Sequence, residues 1–327
     1  MLRARFAPAA ITLACASIAL GACGEGEQDQ EVEDVGAAAP AVDAFPAASG
    51  GSLEDLLAEA TPTNEIVVAP AGQVYTPGTN RFGFGVFTVA QEQITDAEVA
   101  LYAAPGPDGE ATGPFPARID SLETEPAFEA RTTADDPDSA KAVYVTEIPF
   151  DQPGEWRLIA MIREGDELLA SRLHSIIVGD YSKIPAVGEK APVIHTPTVS
   201  DVGDVAEIDT RNPHDTMHDV DAADTIGSEP TVLLFATPAL CVSRTCGPVV
   251  DAAEQVKSEL GEDAAFIHME VYEKNDPNEG LRSQLREYGL RTEPWLFVTD
   301  ANGEVTTRIE GAFSVEELRR AVERASS

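Results

Sequence analysis

Apolar positions along this chain fall into successive patterns, and each predicts a different kind of structure. Phe6 through Ala22 is an uncharged, largely apolar run behind Arg3 and Arg5. It is too short and too poorly flanked for a membrane span, and it has the form of a secretory signal peptide over residues 1–22. Periodicity is then lost as far as residue 62. Gly24–Asp34 is rich in Glu, Asp and Gln, and Ala37–Gly51 in Ala, Pro and Gly. Neither stretch carries enough apolar surface to offset the entropy of ordering, so residues 23–62 are expected to be a disordered tether. A short helix over Leu53–Ala60 interrupts it, with Ser52 as N-cap and Asp55 three residues on.

Between Glu65 and Asp180 the period becomes two. Glu65–Ala69, Arg81–Val89, Glu98–Tyr102, Ala142–Phe150, Glu155–Arg163 and Arg172–Val178 are β-branched or aromatic runs divided by Pro, Gly and Asp clusters. In Glu155–Arg163, Trp156, Leu158, Ala160 and Ile162 alternate with Arg157, Ile159, Met161 and Arg163. Short strands at this spacing predict an all-β, immunoglobulin-like sandwich over residues 63–182. His174 is its only histidine, and a lone histidine in a strand pattern is a packing or surface residue.

After residue 187 strands and helices alternate, predicting an α/β domain over 187–327. Thr231–Ala236 is a continuous apolar run, as a central parallel strand requires. Gly247–Leu260 has helical spacing, with Val249, Val250, Ala253, Val256 and Leu260 on one face. Ala264–Val271 is the next strand, and Glu279–Tyr288 the next helix, stopped by Gly289. Trp295–Asp300 and Val305–Glu310 flank Asn302-Gly303, a hairpin signal. Ser314 and Glu317 then open a helix reaching Ala325.

Charge removes one class of function. The chain has 57 acidic against 22 basic residues, for a formal net charge of -35, and no Lys or Arg cluster. Nucleic-acid binding needs concentrated basic surface, so no nucleic-acid partner is expected. The acidity reads as a solubility device.

The apolar leader ends in Leu20-Gly21-Ala22-Cys23, which resembles the lipobox of bacterial lipoproteins. That resemblance implies diacylglycerol on the Cys23 thiol, cleavage before it, and a location at the extracytoplasmic face of the cell membrane, anchored by lipid. With Cys15 in the leader and Cys23 acylated, Cys241 and Cys246 remain, in a compartment where disulfides form.

The segment Phe235-Ala236-Thr237-Pro238-Ala239-Leu240-Cys241-Val242-Ser243-Arg244-Thr245-Cys246-Gly247-Pro248 lies at a strand-to-helix junction, and Thr292-Glu293-Pro294-Trp295 follows the next helix. Both positions, and the order of elements, resemble the thioredoxin fold. Val187-Gly188-Glu189-Lys190-Ala191-Pro192 resembles the opening segment of its peroxiredoxin and TlpA-like branch. The resemblance implies thiol–disulfide exchange with envelope proteins through Cys241 and Cys246, with no further cofactor. It also implies a cis Glu293–Pro294 bond that leaves the Glu293 backbone open to a substrate strand. A helix N-terminus favours thiolate over thiol.

The chain departs from the family in spacing its cysteines Cys-x4-Cys rather than Cys-x-x-Cys. Two assignments follow. Cys246-Gly247-Pro248 matches the family's Cys-Gly-Pro and makes Cys246 the nucleophile, a reading that Pro248 in the first helical turn favours. Otherwise Cys241 attacks and Cys246 resolves. Arg244 is a candidate thiolate partner or a solvated loop charge. A binding lipoprotein with a merely structural disulfide is the alternative function. A copper(I) site of the kind held by Sco chaperones is the weaker one, because the histidines available are His268 in a strand interior and His214-x-x-x-His218, with Met217 between, on an expected surface segment. No metal site is assigned from the sequence.

Overall fold

The computed structural model describes residues 36–327. The expected leader, Cys15 and the Cys23 lipid site lie outside the described residues. No helix among the described residues is long and apolar enough to cross a membrane.

The N-terminal part contains α1 (Leu53–Leu57), β1 (Thr61–Pro62), β2 (Ile66–Pro70), β3 (Gly78–Thr88), β4 (Glu98–Pro105), β5 (Thr112–Pro116), β6 (Arg118–Ser121), α2 (Arg131–Ala134), β7 (Ala142–Phe150), β8 (Gly154–Glu164), β9 (Glu167–Arg172) and β10 (Ile176–Val178). One antiparallel sheet has the order β2-β3-β7-β6; the other runs β1-β9-β8-β4-β5, with β10 also paired to β8. The core between them takes Phe82, Phe84 and Val86 from β3, Tyr144, Ile148 and Phe150 from β7, Leu101 and Ala103 from β4, and Trp156, Leu158, Ala160 and Ile162 from β8. Alternate residues of each strand point there, as the pleat requires.

The other residues of β8 need a cover of their own. Ile159 and Met161 face away from that core, yet they are buried, together with Ala100, Tyr102 and Ala170, under Phe45, Leu53, Leu56 and Leu57. Residues 36–62 are therefore not a disordered tether; from about Val42 the segment lies on the outer face of the second sheet. Ser52 and Asp55 form the expected capping box at the start of α1, and the Tyr102 hydroxyl donates to the Pro46 carbonyl at 2.6 Å. A strand apolar on both faces needs a cover on both, and this segment supplies the second.

The C-terminal part holds α3 (Ala222–Thr225), β11 (Thr231–Phe235), α4 (Cys246–Leu260), β12 (Ala265–Met269), α5 (Ser283–Glu287), β13 (Trp295–Thr299), β14 (Val305–Glu310) and α6 (Val315–Ala325). Its sheet has the order β12-β11-β13-β14, with β12 parallel to β11 and the others antiparallel. The strands fall where the apolar runs predict. The expected helix over Glu279–Tyr288 shortens to α5, because Gly280 sits at φ 87° and ends a separate turn over Pro277–Glu279.

Both faces of this sheet are covered. Leu233 and Phe235 of β11 pack with Leu285, Tyr288 and Trp295 on one side. Val232 and Leu234 pack on the other with Val249, Val250, Val256, Leu318 and Val322 of α4 and α6. That second core also takes in Leu122, Val143 and Val145 of the N-terminal part. The described residues consequently cluster as one compact unit, in which α4 and α6 are sandwiched between two sheets.

Candidate functional site

α4 begins at Cys246, directly after the loop that leaves β11. Its N-terminus is held from two sides. Gly247 packs against α2 so closely that a Cβ there would lie 2.8 Å from the Thr133 hydroxyl oxygen. The Ala130 amide donates to Asp251 at 3.1 Å, and Asp251 also pairs with the buried Arg211 at 2.8 Å. The N-terminal part thus reaches over the thiol loop. It also binds that loop, since the Ala140 amide donates to the Arg244 carbonyl at 3.1 Å. Arg244, in the left-handed region at φ 63°, sends its guanidinium to Asp138 at 3.3 Å rather than to a sulfur.

The two cysteines are free and differ sharply in setting. Cys241 is half-buried on the loop, beside the exposed Val242 and Ser243. Its sulfur lies 3.1 Å from Ser243 Oγ. Hydrogen bonds from the Cys246 thiol, from Ser243 and from the Cys246 and Thr245 amides outweigh desolvation and bring its pKa down to about 6. Cys246 is wholly buried, and desolvation, with the charge of Cys241 beside it, pushes its thiol well above the ordinary range. The two assignments left open by the sequence differ in which of these sulfurs attacks first, and the sulfurs differ in burial. A sulfur with no access to solvent does not attack first, so this burial fits Cys241 as the attacking thiol better than the reading that Pro248 favours. Pro248 is the third residue of α4, where it sets the helix without exposing Cys246.

Glu293 and Pro294 face this pair. Their peptide bond is cis, as the resemblance implied. The Glu293 amide and carbonyl make no hydrogen bond among the described residues, so an extended chain has free backbone to pair with. Burial, with the charge of Cys241, raises the Glu293 carboxyl to about 7. The same carboxylate acts on buried Cys246.

Behind the loop lies a second group of residues. Asp209, Asp215, His218 and His268 are all buried, and one potential ligand atom from each lies within 4.8 Å of the others. The expectation that residues 214–218 form a surface segment holds for the exposed His214 but not for His218, which is 2% exposed. Asp209 and Asp215 were not singled out in the sequence; the signal available was two acids and two histidines within one short polar stretch. That stretch follows the edge of β12, where the His268 amide donates to the Met217 carbonyl at 3.0 Å.

His268 carries its Nδ1 2.7 Å from Asp215 Oδ2 and its Nε2 3.1 Å from the Ala236 carbonyl. Both partners are acceptors, so both ring nitrogens donate and the imidazole is charged, with Asp215 holding its pKa up at about 10 against strong desolvation. The Ala236 carbonyl shares its peptide unit with the Thr237 amide, which donates to the Cys246 sulfur. One polarised peptide therefore connects the buried histidine to the resolving thiol. A second link runs from Glu270 Oε1, which accepts from the Thr210 hydroxyl at 2.6 Å, through that oxygen to the Ala239 amide at 3.1 Å. His174 is exposed on the link between β9 and β10 and touches neither group.

No family model and no curated protein matches the chain. Among solved structures it is similar to a thiol:disulfide interchange protein assigned as DsbE from Chlorobium tepidum, at 18% identity and a TM-score of 0.32, over 44% of this chain and 99% of that one. A thioredoxin-family thiol:disulfide interchange protein from Chlorobium tepidum TLS is similar at 19% identity and a TM-score of 0.31, over 43% of this chain and 99% of that one.

Proposed function

We propose that this chain is a thiol–disulfide exchange protein of thioredoxin-like fold, working at the outer face of a cell membrane to which Cys23 anchors it by lipid. The observation that carries this reading is the asymmetry of the thiols at the start of α4: a partly exposed Cys241, brought down to about 6, beside a wholly buried Cys246. A disulfide that only braces a loop has no use for that difference.

In the proposed reaction the Cys241 thiolate attacks a substrate disulfide. The substrate S–S bond breaks, one substrate sulfur leaves as thiolate, and a mixed disulfide forms. Cys246 then loses its proton to Glu293 and attacks the Cys241 sulfur. The Cys241–Cys246 bond forms, the second substrate sulfur departs as thiolate, and the substrate has gained the two electrons the protein has lost. Run in reverse, the same steps oxidise a dithiol. The substrate strand pairs with the free backbone of Glu293, next to Pro294. The two N-terminal sheets, read as immunoglobulin-like, serve as a docking module that also walls the thiol loop through Ala130, Thr133 and Ala140.

The test is trapping in cells that make this protein. A Cys246→Ser chain is expected to accumulate mixed disulfides with envelope proteins through Cys241, and a Cys241→Ser chain none. Absence of trapped species from both variants, with unchanged stability, would leave a binding lipoprotein instead.

A further inference from the structure

We infer that Asp209, Asp215, His218 and His268 form a binding site for a divalent transition-metal ion of the zinc class, separate from the thiols. Two imidazoles and two carboxylates are a common donor set for such an ion, whereas calcium and magnesium take oxygen ligands and copper(I) prefers sulfur. A tetrahedral ion with bonds of about 2.0–2.2 Å separates its ligand atoms by roughly 3.3 Å. Here His218 Nε2 lies 3.3 Å from Asp215 Oδ1 and 3.8 Å from Asp209 Oδ2, and all four donors fall within 4.8 Å of one another. Small side-chain movements close that set around an ion.

Three further observations point the same way. His218 Nε2 is buried and makes no well-formed hydrogen bond, although it lies 3.3 Å from Asp215 Oδ1 and 3.8 Å from Asp209 Oδ2. A bound cation would give that nitrogen's lone pair a partner, and a buried polar atom without one is costly. The carboxylates are already held in place: Asp209 accepts from the Arg211 and Asp215 amides at 2.7 and 2.8 Å, and Asp215 from the Met217 amide at 2.8 Å. On binding, His268 would release its Nδ1 proton to solvent and ligate through that nitrogen, while Nε2–H still donates to the Ala236 carbonyl, the outer hydrogen bond that orients a metal-bound imidazole.

The charge balance also favours a cation. Arg211 turns to Asp251 rather than to the cluster, and Glu270, whose Oε2 is buried without a hydrogen-bond partner, adds negative charge near His268. Two carboxylates, two neutral imidazoles and a divalent ion are together neutral, which a buried site requires. The exposed His214, with Nδ1 3.3 Å from Asp209 Oδ2, stands at the rim on the solvent side. An ion here would pin residues 209–218 to β12 and, through the Ala236 peptide, to the end of β11 from which the thiol loop departs.

The experiment uses the mature chain carrying Cys241→Ser and Cys246→Ser, so that sulfur contributes nothing, stripped of metal and titrated with Zn2+ against a chromophoric chelator. One equivalent is expected to bind, and Co2+ in its place is expected to give visible tetrahedral bands without a thiolate charge-transfer band. His218→Ala, and the nearly isosteric Asp209→Asn should the first fail to fold, are each expected to weaken binding by roughly 10²-fold or more. No binding to the double-serine chain, or binding unchanged in both ligand variants, would show that the cluster is balanced by protons alone and overturn the assignment.

Discussion

Cys241 and Cys246 are separated by one loop, and their difference comes from where each sulfur sits rather than from sequence context. Four donors converge on Cys241, while Cys246 has lost its water entirely. Such a pair attacks readily but resolves slowly unless something removes the second proton. In the proposed reaction Glu293, raised to about 7 by burial and by Cys241, takes that role at neutral pH. Glu293→Gln is therefore expected to leave mixed-disulfide formation at Cys241 nearly unchanged while slowing its resolution by about 10²-fold, the size typical of a lost general base. Stopped-flow fluorescence with a disulfide peptide separates the two steps. Equal slowing of both would make Glu293 a positioning residue only. The sequence showed both cysteines and the Glu293–Pro294 pair but not their order of use, because the accessibility of a sulfur depends on what packs around α4, and Thr133 and Ala130 come from more than a hundred residues away.

At the scale of elements, the apolar period placed nearly every long strand, since a half-buried strand writes its alternation into the chain. What it hid were the short pieces whose pairing is decided elsewhere. β5 has Pro114 and Pro116 within it, and β9 is polar at both ends. The order of the segment carrying α1 is not legible in the sequence, because Phe45, Leu53, Leu56 and Leu57 are scattered among Ala, Pro and Gly and gain their burial only from the outer face of β4 and β8. The contact between β3 and α6 was equally invisible. There Arg81 grips Glu317 with two hydrogen bonds of 2.7 Å, both side chains largely buried, and donates to the Ala312 carbonyl. Glu317→Ala is expected to cost about 3–5 kcal/mol, the usual penalty for leaving one buried charge without its partner, as measured by denaturant unfolding. Arg81 and Arg118 hold the folded-state Glu317 carboxyl below its ordinary value. Its contribution is therefore complete above the normal carboxylate range and is lost as pH falls through the folded-state value. An unfolding midpoint that does not move in Glu317→Ala at neutral pH would contradict this.

For the whole molecule, the boundary expected between residues 182 and 187 is crossed by a continuous core. Leu122, Val143 and Val145 share one cluster with α4 and α6, and Glu310 accepts from the Gln73 and Val74 amides at 2.8 Å each. The helix face that the sequence assigns to one domain is thus completed by the other. The two tryptophans make this testable, because Trp156 lies in the core between the N-terminal sheets and Trp295 in the C-terminal sheet, both 1% exposed. In Trp156→Phe and Trp295→Phe variants, each reporting on the remaining indole, the unfolding transitions are expected to coincide with each other and with far-UV circular dichroism. Two separated transitions would mean that the parts fold independently and that the shared core contributes little.

The account rests most heavily on Cys241 being the acidic, accessible sulfur. Its most direct test is the rate of iodoacetamide alkylation of the fully reduced chain as a function of pH, with the modified residue located by mass spectrometry. The expected result is modification at Cys241 with a midpoint near pH 6, and protection of Cys246 until the protein unfolds. First modification at Cys246, or a midpoint at Cys241 near the ordinary thiol value of about 8.5, would contradict it.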